Sequence, residues 1–286
     1  MKQDTQSTNL LAVCEWEDLS TLAVMPELSI VIIAKNEVEN LRRLLPELRT
    51  VSSDILVVDS GSTDGTADLV KNLMIGLVET AWLGYGSTKN LGNQKAKNDW
   101  ILSLDSDEIP DKRMISELIT ITKSKHELSA DTIFLLKRNL YYCKRKLNFG
   151  GVGDEWRPRI FNRRHAFWDD KLVHEELTAL GPSSYKKLPG NLKHYSFGSR
   201  LEHRIKMDRY AQFSAREMYQ KNKKANFLKL YLNPTFQFLK NYIIKFGFLD
   251  GVAGLTFAYE NARYVYLKYN YLKDLEKNWL YEHMFE

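Results

Sequence analysis

A chain of 286 residues is long enough for one large domain or two small ones. With 44% hydrophobic, 27% charged and 12% aromatic residues the composition is ordinary for a globular protein, which excludes wholesale disorder and collagen-like repeats. The net charge is a mild +5, and the two cysteines, Cys14 and Cys143, lie far apart with no CxxC, which excludes a cysteine-built zinc site or disulfide framework. No apolar run reaches the ~20 residues of a membrane span. Phe246 to Ala258, for example, contains Asp250 and three glycines. Acids interrupt the first apolar stretch, so no signal peptide is read and a cytosolic location is expected.

Residues 1–27 read as a polar arm. The run Leu28 to Ala34, LSIVIIA, is short, β-branched and continuously apolar, the pattern of a strand buried on both faces. A helix follows from Asn36 to Glu39 onward, with Leu41, Leu44, Leu45 and Leu48 at helical spacing. Asp54 to Ser60 is a second buried strand, and Gly61 to Gly65 a turn before a helix over Thr66 to Leu73. Leu77 to Trp82 is a third strand, Gly84 to Gly86 a loop and Ser87 to Ala96 a helix. Trp100 to Glu108 is a fourth strand ending in carboxylates, and Pro110 opens a helix from Asp111 to Lys123. Strands alternating with helices predict an α/β fold with a parallel sheet. Beyond it, Thr132 to Leu140 and Tyr141 to Asn148 read as strands. Shorter strands and loops cover Trp156 to Arg163, the surroundings of Lys171, and Leu188 to His194. From Ser199 the chain reads as helical to its end.

The charge is unevenly spread. Arg200 to Phe246 holds eleven Lys and Arg against three acids, interleaved with nine aromatic residues. Such a segment is either a solvated helix face with a core stripe or a helix attracted to anionic lipid. Nucleic-acid binding is the weakest reading, because no recognised module accompanies it.

Ligands of open parallel sheets sit beyond the carboxyl ends of the strands. Four such ends are polar here: Lys35-Asn36-Glu37, Asp59-Ser60-Gly61-Ser62, the loop Gly84 to Lys89, and Asp105-Ser106-Asp107-Glu108. Two carboxylates one residue apart at a strand end suit a hard divalent cation with phosphate co-ligands, or a helix cap before Pro110. Asp64 or Thr66 reads as a helix cap, whereas Asp59 suits a base or ribose. A GxGxxG after the first strand, a phosphate-binding P-loop, a GxSxG elbow and HExxH are all missing.

The segments LSIVIIAKNE, ILVVDSGSTDGT, KNLGNQKA and WILSLDSDE, in this order, resemble the family 2 glycosyltransferases of GT-A fold. RPRIFNR, VHEEL, LKHYSFGS and FLKNYIIKFGFLDGVAGL resemble the branch that includes bacterial lipopolysaccharide-core glucosyltransferases. The resemblance implies a catalytic domain over 28–198, with a nucleotide-sugar half (28–125) and an acceptor half (126–198), followed by a helical, basic, aromatic region (199–286). It implies inverting transfer of a hexose, with glucose first, from a UDP-sugar to a lipid-linked saccharide such as lipopolysaccharide inner core. Ala34, Asn36 and Glu37 would line the nucleotide end, Asp59 would meet the uracil, Lys89 the diphosphate and Asp105 the ribose. Asp107, with His194, would hold a divalent metal, Mg²⁺ or Mn²⁺, that steadies the leaving diphosphate. The acceptor hydroxyl needs a general base; Glu175 is favoured, Glu176 second, with Asp154-Glu155 as a further pair. Either could instead simply pair with Arg157 or Arg159. The basic C-terminal segment would hold the enzyme at the inner face of the cytoplasmic membrane, and no nucleic-acid partner is expected. Two other readings compete. A sugar-1-phosphate nucleotidyltransferase expects a glycine-rich first loop, where this chain has Ala34-Lys35-Asn36-Glu37. A non-enzymatic anionic-membrane or nucleic-acid binder using residues 200–246 leaves Asp59, Asp105 and Asp107 unexplained.

Overall fold

The computed structural model describes residues 27–123, 128–153, 155–170 and 175–283, and of 278–283 the backbone alone. The arm proposed for 1–27, apart from Glu27, lies outside these residues, as do Cys14, Asp154 and His174.

Four parallel strands open the sheet: β1 (Leu28–Ala34), β2 (Asp54–Asp59), β3 (Gly76–Glu79) and β4 (Trp100–Asp105), in spatial order β3-β2-β1-β4. Every residue of β1 is buried. Its alternate side chains serve two cores, so a continuous apolar run is required. Ile30 and Ile32 pack with Leu41, Leu44, Leu45 and Leu48 of α1 (Val38–Leu48) and with Met114 and Leu118 of α4 (Lys112–Lys123). Val31 and Ile33 pack on the opposite face, with Val58, Ile101 and Phe161. The helix α2 (Thr66–Asn72) joins β2 to β3, and α3 (Tyr85–Lys95) lies on that second face. A Cβ on Gly92 would come within 2.4 Å of Val31 Cγ1, so only glycine lets α3 approach this closely.

The reading of Trp100 to Glu108 as one strand is corrected. A turn at Ser106-Asp107 ends β4, and Glu108 begins a separate strand, β5 (Glu108–Pro110). Pro110 belongs to β5. The helix cap is Asp111, whose Oδ1 accepts the Met114 N–H at 2.8 Å. The carboxylates ahead of it are therefore not spent on capping.

The rest of the sheet mixes directions. It contains β6 (Thr132–Tyr142), β7 (Arg145–Lys146), β8 (Glu155–Asn162) and β11 (Ser184–Phe197). The order continues β4-β8-β6-β11-β5, with β7 paired to β6, and β6 and β11 run parallel. A small separate pair is β9 (Ala166–Trp168) with β10 (Leu177–Ala179). The expected short strand at Leu188 to His194 belongs to one strand of 14 residues, interrupted by a register shift between Leu188 and Leu192. Gly190 sits in that shift at φ +103°, and a Cβ there would strike the Met114 backbone.

The helical end holds α5 (Arg200–Gln220), α6 (Phe227–Leu239), a π-helical turn (Lys240–Ile244), a 3-10 turn (Gly247–Asp250) and α7 (Gly251–His283). It joins the sheet through Tyr142, Phe197 and Phe257. The basic segment is not one uniform face. Arg200 and Arg204 of α5, each about half exposed, reach within 2.8 and 2.9 Å of the fully buried Glu260 of α7.

Candidate active site

The turn after β4 and the strands around it gather a dense set of charges. Lys89 of α3 is 1% exposed, with its ammonium 2.8 Å from Asp105 Oδ1 and 2.7 Å from Glu175 Oε1, above the Trp168 ring. Arg159 of β8 lies 3.2 Å from Asp105 Oδ2 and donates to both oxygens of Glu108, at 2.8 and 2.6 Å. Glu108 is fully buried and also lies 3.5 Å from Arg138. A buried carboxylate survives when it is paired and hydrogen-bonded. Glu108 therefore fixes Arg159, and Arg159 fixes Asp105. Burial opposes ionisation of Asp105, but Lys89 and then Arg159 outweigh it and hold this carboxyl well below the usual range.

Asp107 faces a different wall. In the antiparallel pair of β11 and β5, His194 stands directly opposite Glu108. This brings its Nε2 to 3.3 Å from Asp107 Oδ2, while the Tyr195 N–H donates to the Asp107 carbonyl at 2.9 Å. The Ser196 hydroxyl hydrogen-bonds the same ring, 2.6 Å from Nε2. Burial would raise the Asp107 pKa, but His194 dominates and brings it down to about 2.

Beside Asp107 opens a cavity of about 210 Å³, lined by Asn36, Glu37, Asp64, Tyr195, Ser196, Glu202 and Lys206 among others. Its first wall is knitted from two strand-end loops. Asn36 takes the left-handed conformation (φ 58°), donates its N–H to Ser62 Oγ at 2.8 Å and accepts the Thr63 N–H at 2.8 Å. Asp64 accepts the N–H groups of Val38 and Thr66 and so joins α1 to the start of α2, but the N-cap of α2 is Gly65 without a side-chain bond, which corrects the reading of Asp64 or Thr66 as that cap. Burial, reinforced by Asp107 and opposed by an Asn40 hydrogen bond, pushes Glu37 up to about 7.

The predicted residues thus fall into two groups. Asp105, Lys89 and Glu175 form one ion-paired cluster, and Asn36, Glu37, Asp107 and His194 surround or adjoin the cavity. Ala34 and Asp59 are buried behind them. Ala34 offers its carbonyl to Ser60, and Asp59 accepts from the Ser62 N–H at 3.0 Å and from its hydroxyl. Glu175 pairs with Lys89 rather than with an arginine, whereas Glu155 pairs with Arg138 and Arg157. The exposed Glu176 donates its N–H to the Asp169 carboxylate at 2.9 Å, and its carbonyl accepts the Asp169 N–H at 3.0 Å.

Sequence reasoning missed two contributors from α5. Lys206 lines the cavity and acts electrostatically on both Glu37 and Asp107. It makes no ion pair within 4.0 Å among the described residues. One turn on, the Tyr210 hydroxyl lies 2.9 Å from that of Tyr85 and feels Asp107, Asp105 and Glu175. Both residues had been merged into a generic basic, aromatic face. Their i, i+4 spacing was the available signal.

Among the described residues, no group of three or more His, Cys, Asp or Glu side chains is arranged to hold a metal. Two donors nevertheless fit one. At metal–ligand bonds of ~2.1 Å, adjacent octahedral ligands stand roughly 3.0 Å apart, close to the 3.3 Å between Asp107 Oδ2 and His194 Nε2. A hard cation commonly takes one or two protein ligands and completes its shell from substrate phosphates and water.

The sequence model for glycosyl transferase family 2 matches residues 29–180, more than half of the chain, so the protein belongs to that family and is a glycosyltransferase. The sheet with helices on both faces, followed by a helical C-terminal region, is its GT-A architecture. An uncharacterized glycosyltransferase of Rickettsia typhi is 26% identical over 85% of this chain and 86% of its own. The lipopolysaccharide core biosynthesis glycosyltransferase LpsC of Rhizobium meliloti is 26% identical over 85% of this chain and 93% of its own. Glucosyl-3-phosphoglycerate synthase of Mycobacterium tuberculosis, solved with Mn²⁺, UDP and glucosyl-3-phosphoglycerate, overlaps 41% of this chain and 44% of its own at 18% identity, with a TM-score of 0.31. An overlap that slight says nothing about ligands.

Proposed function

We propose that the protein is an inverting hexosyltransferase that moves a sugar, glucose first, from a UDP-sugar to a lipid-linked saccharide of the lipopolysaccharide inner-core type. On this reading it works as a peripheral enzyme at the inner face of the cytoplasmic membrane. The observation that carries the reading is the pairing of Asp107 with His194 at the rim of a cavity walled by both nucleotide-side loops. The acceptor class rests on the likeness to the Rhizobium lipopolysaccharide core enzyme.

In this reading Asn36, Glu37 and Asp59 form the nucleoside end, and Asp105, held by Lys89 and Arg159, meets the ribose. Asp107 and His194 would hold a divalent cation, which supplies Lewis-acid stabilisation of the departing diphosphate. Lys206 adds a mobile positive charge at the same wall. The acceptor oxygen attacks the anomeric carbon as the bond to UDP breaks, which inverts that centre. Glu175 takes the hydroxyl proton, held in position by Lys89, with Glu176 as the second choice. The nucleotidyltransferase and non-enzymatic readings lose ground because the chain belongs to a transferase family and its carboxylates converge.

The test is UDP release from a panel of UDP-sugars with Mg²⁺ or Mn²⁺. Turnover of one donor, reduced roughly 100-fold or more in Glu175→Gln while donor binding persists, supports the assignment. Full activity in Glu175→Gln removes Glu175 as the base, and no turnover of any UDP-sugar removes the donor class.

A further inference from the structure

The helical end carries an apolar face that no described residue covers. Along α6, Leu228, Leu232, Phe236 and Leu239 recur at helical spacing and are all exposed, Phe236 at 59%. This stripe points away from the partner helix: α6 packs its opposite side on α7, with Leu230 buried and the Asn233 amide 3.2 Å from the Tyr269 hydroxyl. A helix of a folded domain normally turns its apolar stripe inward. The exposed series runs on through the following turns as Ile243, Ile244 (60%), Phe246 and Leu249 and into α7 at Val252 (75%). Scattered exposed apolar residues are ordinary, but a concentrated patch marks a contact surface.

The turn at its centre is strained. Phe246 adopts φ +56°, a left-handed conformation that is an outlier for a bulky side chain, and it is 55% exposed. A π-helical turn precedes it, an element found mostly at functional positions. Strain kept in an exposed aromatic gains nothing from the interior of this molecule.

The charge around the face identifies its partner. From Lys221 to Leu249 there are six lysines and no carboxylate. Lys229, Lys240 and Lys245 stand among the apolar residues, and none of the three has an ion-pair partner within 4.0 Å among the described residues. A second copy docked on the same face would set lysines against lysines, because a two-fold interface is self-complementary. An anionic bilayer meets both demands, with headgroups for the lysines and the acyl boundary for Phe and Ile. No helix of the described residues is long and apolar enough to cross a membrane, so the contact lies on the surface.

We propose that the α6 stripe, the π and 3-10 turns and the start of α7 form one docking face for an anionic phospholipid surface. This deepens the proposed function, since it assigns the membrane contact to Leu228–Val252 and not to α5, whose Arg200 and Arg204 pair with Glu260 and whose Lys206 lines the cavity. The face also touches the acceptor half. The Gly150 N–H donates to the Lys245 carbonyl at 2.8 Å, and the Phe149 N–H to Asp250 at 2.9 Å, in the loop that leads into β8. A lipid-linked acceptor would then reach the site from the side on which the enzyme sits.

The experiment is co-sedimentation of the full chain with vesicles of phosphatidylcholine containing about 30% phosphatidylglycerol, and with phosphatidylcholine alone. We expect binding to the anionic vesicles at least ~10-fold tighter than to neutral ones, with most of it lost at ~0.5 M salt. The double variant Ile244→Asp/Val252→Asp, and separately Lys240→Glu/Lys245→Glu, should each lose about tenfold or more. Wild-type protein that stays in the supernatant overturns the proposal, and so do well-folded variants that sediment like wild type. A concentration-dependent dimer that the Asp variant breaks, without vesicle binding, would assign the face to a second copy and also overturn it. UDP binding measured on the same samples separates the readings. Vesicle binding without UDP binding defeats the proposed function alone, and UDP binding without vesicle binding defeats this inference alone.

Discussion

The Lys89 ammonium lies 2.7 Å from Glu175 although 86 positions separate them in the chain. It also lies 2.8 Å from Asp105, so one buried cation ties the end of β4 to the segment before β10. Removing one partner of a buried ion pair leaves the others uncompensated and costs several kcal/mol. Lys89→Met should therefore destabilise the fold by about 3 kcal/mol, a drop of roughly 5 °C in melting temperature. Adding Glu175→Gln should recover about 1 kcal/mol of that loss. Calorimetry of the two variants checks both numbers, and an undestabilised Lys89→Met would show that the pairing carries no energy.

Glu37 gives stability a pH dependence. Its folded pKa of about 7 stands above the ordinary glutamate value of 4.5, because of burial first and Asp107 second. Between those values the folded protein holds more protons than the unfolded chain, so stability falls as pH rises through the window and levels off above it. Asp107 acts in the other direction and only on the acid side, as pH falls toward 2. Buried His203, held down to about 4, acts in the opposite sense below its ordinary 6.5, so the readout is a difference: the melting temperature of metal-free Glu37→Gln relative to wild type should rise as pH goes from 4.5 to 7 and level off above that. An identical slope in the variant would locate the titrating group elsewhere.

Lys206 predicts an effect on donor affinity. A diphosphate entering a cavity walled by Glu37, Asp64, Asp107 and Glu202 meets negative charge on most sides. The lysine on α5 is the protein cation at that wall. Lys206→Ala should raise the donor KM about tenfold, worth ~1.4 kcal/mol, with a smaller effect on kcat. Steady-state kinetics with saturating acceptor read the split directly. A loss confined to kcat would place Lys206 at the reacting atoms instead.

Residues 28–105 were legible in the sequence because their rules are local. β1, β2 and β4 announced themselves by short apolar runs, and Asp105 and Asp107 by following one of them. The rest depended on partners that no local pattern reveals. Glu108 starts β5 because β11, more than 80 residues later, pairs with it; of β11 only Leu188 to His194 reads as a strand from the sequence, because the exposed Ser184 to Lys187 carries no apolar alternation. From the sequence Arg159 is only a possible partner of the candidate base glutamates and Arg138 is not singled out, yet Arg159 is the counter-ion of Asp105 and Glu108, and Arg138 stands beside Glu108. The basic residues of α5 looked like the membrane stripe they adjoin, because charge alone does not tell which side of a helix faces the sheet.

On the proposed function, Asp107 and His194 build a metal-dependent site for a uridine diphosphate. Titration calorimetry of UDP into the wild-type protein, with and without Mn²⁺, and into Asp107→Ala tests it most directly. The account predicts binding that requires the metal and weakens by about 100-fold or more in the variant. Equal affinity with and without Mn²⁺, unchanged in Asp107→Ala, would contradict it.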